Sequence, residues 1–138
     1  MSLFEHMNDG FVWLKRPDLP PRCIVKITHS LAKESVFCEA LQLEDNFLTE
    51  YNKPNERRLK INNPESSIVM SSWYRKRLGN LEPRREYSLR IDEANVWGWG
   101  KIRACNQHPQ NVVRIATRLG IISVVFGIVG LLLGLLRH

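Results

Sequence analysis

The side chains best suited to chemistry are dispersed along this chain. Histidines stand singly at His6, His29, His108 and His138, and cysteines at Cys23, Cys38 and Cys105. Zinc sites draw their ligands from closely spaced pairs, and disulfide frameworks need an even set of cysteines. Neither pattern is present. An odd trio of distant cysteines suits a reducing compartment, with Cys23 and Cys38 as buried thiols in strands. The four histidines read as isolated surface residues, and Glu39, Glu44 and Asp45 as ordinary loop or edge acids. No G-x-S-x-G elbow, Walker A loop, HExxH helix or paired-carboxylate spacing points to a reaction. The expectation is a non-enzymatic protein with no catalytic residue, no metal and no cofactor.

Binding chemistry is better represented. Arg57, Arg58 and Lys60 form one basic cluster; Arg75, Lys76 and Arg77, followed by Arg84 and Arg85, form another beside Trp73 and Tyr74. Guanidinium forks grip phosphates and neighbouring aromatics can stack, so these residues are a candidate patch for an anionic partner: lipid headgroups, a nucleotide or a nucleic acid. The competing reading is a solvated helix face whose two aromatics belong to the core, with Glu82, Glu86 and Asp92 offsetting part of the charge. Trp97 and Trp99, two apart, fall on one face if Val96–Cys105 is a strand. With Trp13 they form either core packing or an aromatic belt at a membrane interface.

The strongest signal is the run from Leu119 to Leu136, which contains no charge, no proline and no side-chain amide. About 18 residues at 1.5 Å each make a helix of roughly 27 Å, close to the hydrocarbon thickness of a bilayer. Arg114 and Arg118 precede it and Arg137 follows. Its small residues, with Ala116 ahead of the run, are Ala116, Gly120, Ser123, Gly127, Gly130 and Gly134, spaced alternately four and three apart. At 100° per residue they fall within an arc of roughly 80° on one helix face. Lipid tails are as apolar as leucine, so membrane helices associate through close backbone approach, which small residues permit. The stripe is therefore a candidate helix-association face.

The formal net charge of +6 and the sequence pI near 9.5 fit an anionic membrane surface at least as well as a nucleic acid. The N-terminus shows no signal peptide. The cationic residues Lys101, Arg103, Arg114 and Arg118 on the N-terminal side of the run place the preceding domain in the cytoplasm by the positive-inside rule. The chain divides into a soluble, mostly-β domain over 1–108 and a juxtamembrane and transmembrane helix over 109–138, spanning about 119–136.

The elements that would position these residues are mostly short strands. Phe11–Leu14 and Arg22–Thr28 read as strands, separated by the prolines Pro17, Pro20 and Pro21. Val36–Leu43 is a strand or a helix, its first half favouring strand. Residues 44–51 form a short helix or an extended excursion. Strands follow at 57–61, 67–70 and 86–91, with a turn at 92–95. Ser71 to Gly79 reads as a two-turn helix with serine at its start and glycine past its end. Val96–Cys105 reads as the last strand, and Pro109 begins a final helix that can run unbroken to Leu136, about 42 Å. Turn signals about every ten residues predict a small β-barrel or sandwich with one or two short helices and one C-terminal transmembrane helix.

Ile68-Val69-Met70-Ser71-Ser72, then Arg75 and Arg77-Leu78-Gly79-Asn80-Leu81-Glu82-Pro83, then Tyr87-Ser88-Leu89-Arg90-Ile91, resembles a pattern of the cradle-loop β-barrels of the double-psi and swapped-hairpin types. There a strand enters a short helix ending in Leu-Gly, a Pro-Gly-Asp-like turn follows, and an alternating strand leaves. Arg84-Arg85 departs from that turn. The resemblance implies a small barrel and no particular function, because such domains serve in enzymes, adaptors and DNA-binding proteins.

These readings lead to a tail-anchored protein whose small cytoplasmic β domain binds a partner or self-assembles while its helix associates through the glycine stripe. The alternatives are a membrane-disrupting or pore-forming effector and an accessory subunit of a larger membrane complex. Expected partners are membrane lipid and further copies of the chain or other membrane subunits, with nucleotide or nucleic acid a lesser candidate.

Overall fold

The structure is a computed structural model and describes residues 9–54, 60–83, 85–94 and 98–136. Strands β1 (Phe11–Leu14), β2 (Arg22–His29), β3 (Ser35–Gln42), β4 (Ile68–Val69) and β5 (Leu89–Glu93) make one sheet in the order β4-β1-β3-β2-β5. The sheet is mixed and curled into a half-barrel. The expected small barrel or sandwich is met only in part: the strands form one curled five-stranded sheet whose two ends do not close, and among the described residues three short α-helices accompany it where one or two were expected. Helices α1 (Asp45–Tyr51), α2 (Ser72–Arg77), α3 (Trp99–Asn106) and α4 (Asn111–Leu136) and a short 3-10 turn at Pro64–Ser66 complete the described elements.

β2 and β3 form the hairpin at the centre, with Val25 opposite Cys38 and Ile27 opposite Val36. Lys33, at φ 56°, closes its loop, and the His29 N–H donates to the Glu34 carbonyl at 2.9 Å. β1 pairs with β3 in parallel, Phe11 beginning opposite Glu39. The side chain of Gln42 binds the proline-rich link between β1 and β2 at three points. Gln42 Nε2 donates to the Arg16 and Leu19 carbonyls, and Gln42 Oε1 accepts the Arg16 N–H. An irregular segment needs such partners because its backbone groups have no ladder to join.

Strand alternation gives the sheet two faces. Val12, Leu14, Val25, Ile27, Val36, Cys38 and Ala40 point to the main core, where Tyr74 and Leu78 of α2 and Leu81 cover them. Tyr74 is fully buried, and its hydroxyl donates to the Gly10 carbonyl at 3.0 Å. Burial pushes both that hydroxyl and the Cys38 thiol well above their ordinary pKa. Cys23 and Cys38 are thus buried strand thiols, as expected. The opposite face carries Trp13, stacked on Phe47 of α1 at 5.4 Å, which in turn stacks on Tyr51 at 5.6 Å.

Several sequence expectations change. The run ending at Cys105 is not a strand: Trp99–Asn106 is helical. Gly98, at φ 76°, breaks the extended path, and Gly100 and Ala104, four apart, give the helix a small-residue face that lies against the sheet. A Cβ at Gly100 would overlap the Ala94 carbonyl oxygen and touch Ile24. The two-indole strand face is lost with it, since Trp99 is 67% exposed and Trp97 lies outside the described residues. The strand expected at 86–91 occupies Leu89–Glu93, so Asp92 belongs to it and not to a turn. Of the strand expected at 57–61, residues 57–59 lie outside the described residues, and Lys60 and Ile61 are not in a strand. Ser71 takes the cap position of α2, yet its buried Oγ makes no hydrogen bond. Gly79, at φ 98°, follows α2 in the left-handed region, as its place in sequence predicts. His29 is buried against Tyr87, not on the surface, because position 29 ends the core-facing series of β2.

Candidate functional site

The described residues hold no group of three or more His, Cys, Asp or Glu side chains able to take a metal. The most constructed region outside the core is the joint where the sheet meets α4. It begins at Gln107, which caps the C-terminus of α3. Phe37 precedes the point where β1 starts to pair with β3, so its N–H has no strand partner on that side, and Gln107 Oε1 accepts it at 2.6 Å. The Gln107 carbonyl accepts the indole N–H of Trp73 at 2.9 Å. One glutamine therefore ties β3, just beyond the end of its pairing with β1, to α2.

Trp73 is also the surface on which cations settle. Arg114 of α4 lies 4.5 Å from the ring centre and Arg77 of α2 at 5.8 Å. Each such contact is worth roughly 0.5–1 kcal/mol where exposed and more when water is excluded. Arg114 donates from Nη1 to the His108 and Pro109 carbonyls, at 2.6 and 2.9 Å, and from Nη2 to Asn111. Those carbonyls belong to the turn between α3 and α4, so a single guanidinium binds the turn and locks it on Trp73. Arg118 Nε donates to Asn106 Oδ1 at 3.2 Å, which joins α4 to the end of α3.

His108 sits inside this joint. Its Nδ1 accepts the Gln110 N–H at 3.1 Å, and its ring fills the space where a Cβ on Gly10 would be. Burial and the nearby Arg114 charge, in that order, hold its pKa below the ordinary histidine value. The hydrogen bond agrees in sense, because a nitrogen that accepts an N–H carries no proton.

The residues expected to flank the membrane are thus split in role. Arg114 is an internal clamp, Arg118 is exposed and bonded to Asn106, and Arg137 lies outside the described residues. Val113, Arg114 and Thr117 of α4 are half-buried against the domain, whereas every residue from Arg118 to Leu136 is exposed. The association stripe falls on this helix: Ala116, Gly120, Ser123, Gly127, Gly130 and Gly134 are all exposed. A Cβ at any of the four glycines would meet nothing within 4 Å. Helix α4 is long and apolar enough to cross a membrane.

The basic patch is only partly assembled. Arg75, Lys76 and Arg77 share the last turn of α2, with Arg75 half-buried and Arg77 drawn onto Trp73. Arg85 is paired with Glu82 at 2.8 Å, and Lys60 is exposed in a loop. Arg57, Arg58 and Arg84 lie outside the described residues. Sequence reading missed Gln107 entirely. Nothing in a lone glutamine between an asparagine and a histidine announces that it caps a strand edge far away in the chain. Trp73 was legible as an aromatic beside a charge cluster, but its partner cation comes from α4.

No protein family, curated protein or solved structure matches the chain.

Proposed function

We propose that this chain is a non-enzymatic, single-pass membrane protein, anchored by α4 near its C-terminus, with its small β domain in the cytoplasm. The domain binds a partner or assembles with copies of itself, and α4 associates side by side through Ala116, Gly120, Ser123, Gly127, Gly130 and Gly134. The observation that carries this reading is the change along α4. Its first two turns rest on the domain, and from Arg118 onward it is apolar and open on every side, with space beside each glycine. A run of exposed leucine, isoleucine and valine of this length is costly in water and suited to lipid. Within lipid, the bulky positions satisfy the acyl chains and the small stripe is the one surface where a second backbone can approach.

The test is the double substitution Gly127→Ile and Gly130→Ile, with the purified protein sized in mild detergent. The wild-type chain is expected to run as an oligomer, and the variant to fall to the monomer. A wild-type monomer, or an oligomer of unchanged size in the variant, overturns the association. A single different protein recovered with the chain in fixed stoichiometry, and lost in the variant, assigns the stripe to docking on a foreign helix.

A further inference from the structure

We propose that α3 and the start of α4 form a basic, tryptophan-bearing foot that rests on an anionic phospholipid surface and holds the β domain against the bilayer. This rests on the reading of α4 as a membrane span. Three observations carry it.

The first is which face of α3 is left uncovered. Gly100 and Ala104 are buried against the sheet. The uncovered side presents Trp99, 67% exposed, and Ile102, 40% exposed, three residues apart and so adjacent along the helix. Lys101 and Arg103 flank them and are exposed. Indole at the headgroup level, an aliphatic side chain beside it and cations at the border match the side-chain preferences of a membrane interface.

The second is height. Arg118 stands one residue before the apolar run, and its Nε holds Asn106, the last residue of α3. Trp99 is seven residues from Asn106, about 10 Å along the axis. The C-terminal end of α3 is therefore held beside the residue that precedes the apolar run, and its far end lies about 10 Å from there along the axis of α3.

The third is charge. No aspartate or glutamate occurs after Glu93, whereas Lys101, Arg103 and Arg118 are exposed ahead of the apolar run, Arg103 with its guanidinium 5.1 Å from the Phe37 ring centre. A surface of one sign beside the membrane is drawn to anionic lipid. A protein partner would have to share this edge with the headgroups next to it, so the bilayer is the occupant that charge and position favour.

The experiment uses the full chain reconstituted in vesicles of phosphatidylcholine, with or without phosphatidylserine, carrying bromine on the upper acyl carbons. Bromine quenches only tryptophans at or near its depth. Wild-type emission is expected to be quenched more strongly when phosphatidylserine is present. Trp99→Phe should remove most of the quenchable emission, and Lys101→Gln with Arg103→Gln should erase the response to phosphatidylserine. Trp99 is exposed, so its replacement leaves the core intact. Carbonate washing separates the two readings. A chain that resists carbonate but shows equal fractional quenching in wild type and Trp99→Phe overturns the foot alone. A chain released by carbonate overturns the span and the foot with it.

Discussion

His108 has two reasons to stay neutral inside the joint: its ring is partly buried beside Arg114, and its Nδ1 already accepts the Gln110 N–H. Its folded pKa is lowered from the ordinary value of 6.5, so the unfolded chain takes up the proton first as pH falls. The stability contributed here is complete above the ordinary histidine value. It is lost progressively as pH drops through that value towards the lower folded pKa, below which the loss levels off. Urea midpoints measured in detergent across this window should fall in the wild type and fall less steeply in His108→Asn, which keeps an acceptor but does not titrate. Equal slopes would mean that another group sets the pH response. The same residue shows why single positions mislead. His29 and His108 both looked like lone surface histidines, yet one ends a core-facing strand series and the other is wedged against Gly10.

Among the elements, α3 departs furthest from its sequence. Val96–Cys105 has tryptophans, glycines and scattered charge, and both strand and helix are compatible with it locally. The decision comes from Gly98 turning the chain, from Gly100 fitting closely against Ala94 and Ile24, and from the burial of Ala104. Gly100→Ala separates local from tertiary control by its sign. Alanine raises intrinsic helix stability by up to about 1 kcal/mol. Here its methyl would press on the backbone oxygen of Ala94, and overpacking of that kind costs about 1–3 kcal/mol. The expected outcome is a net loss in the urea midpoint. A gain would show that α3 is not seated tightly on the sheet. β2, by contrast, was readable from its own residues, since β-branched alternation from Arg22 onward permits little else. α2 was readable from Ser71 and Gly79 at its ends, although Ser71 Oγ does not make the capping bond its type suggests.

At the level of the whole molecule, the joint and the apolar helix act together. The sheet is tied to α2 through Gln107 and Trp73, and α2 to α4 through Trp73 and Arg114, so α4 leaves the domain as a stiff continuation of it. Under the proposed association of α4, such a connection would pass the packing of the helices to the orientation of the β domains. The proposed topology has a simple readout. In sealed vesicles with the cytoplasmic face outward, added protease should degrade the β domain and leave a protected fragment containing residues 119–136. A fully protected domain would reverse the orientation.

The apolar run, its small-residue spacing, the central hairpin and the absence of a familiar catalytic motif could all be read from the residues in order. These are local properties: hydrophobic length, periodicity of 3.6 or 2, and the special geometry of glycine and proline. The curl of the sheet, the helical state of α3, the burial of His29 and the joint of Gln107, Trp73 and Arg114 were decided only in three dimensions. Each depends on atoms brought together from distant parts of the chain. A strand edge left open beside Phe37, an indole 34 residues before the carbonyl that accepts its N–H, and a guanidinium from a later helix have no mutual spacing for a sequence pattern to record.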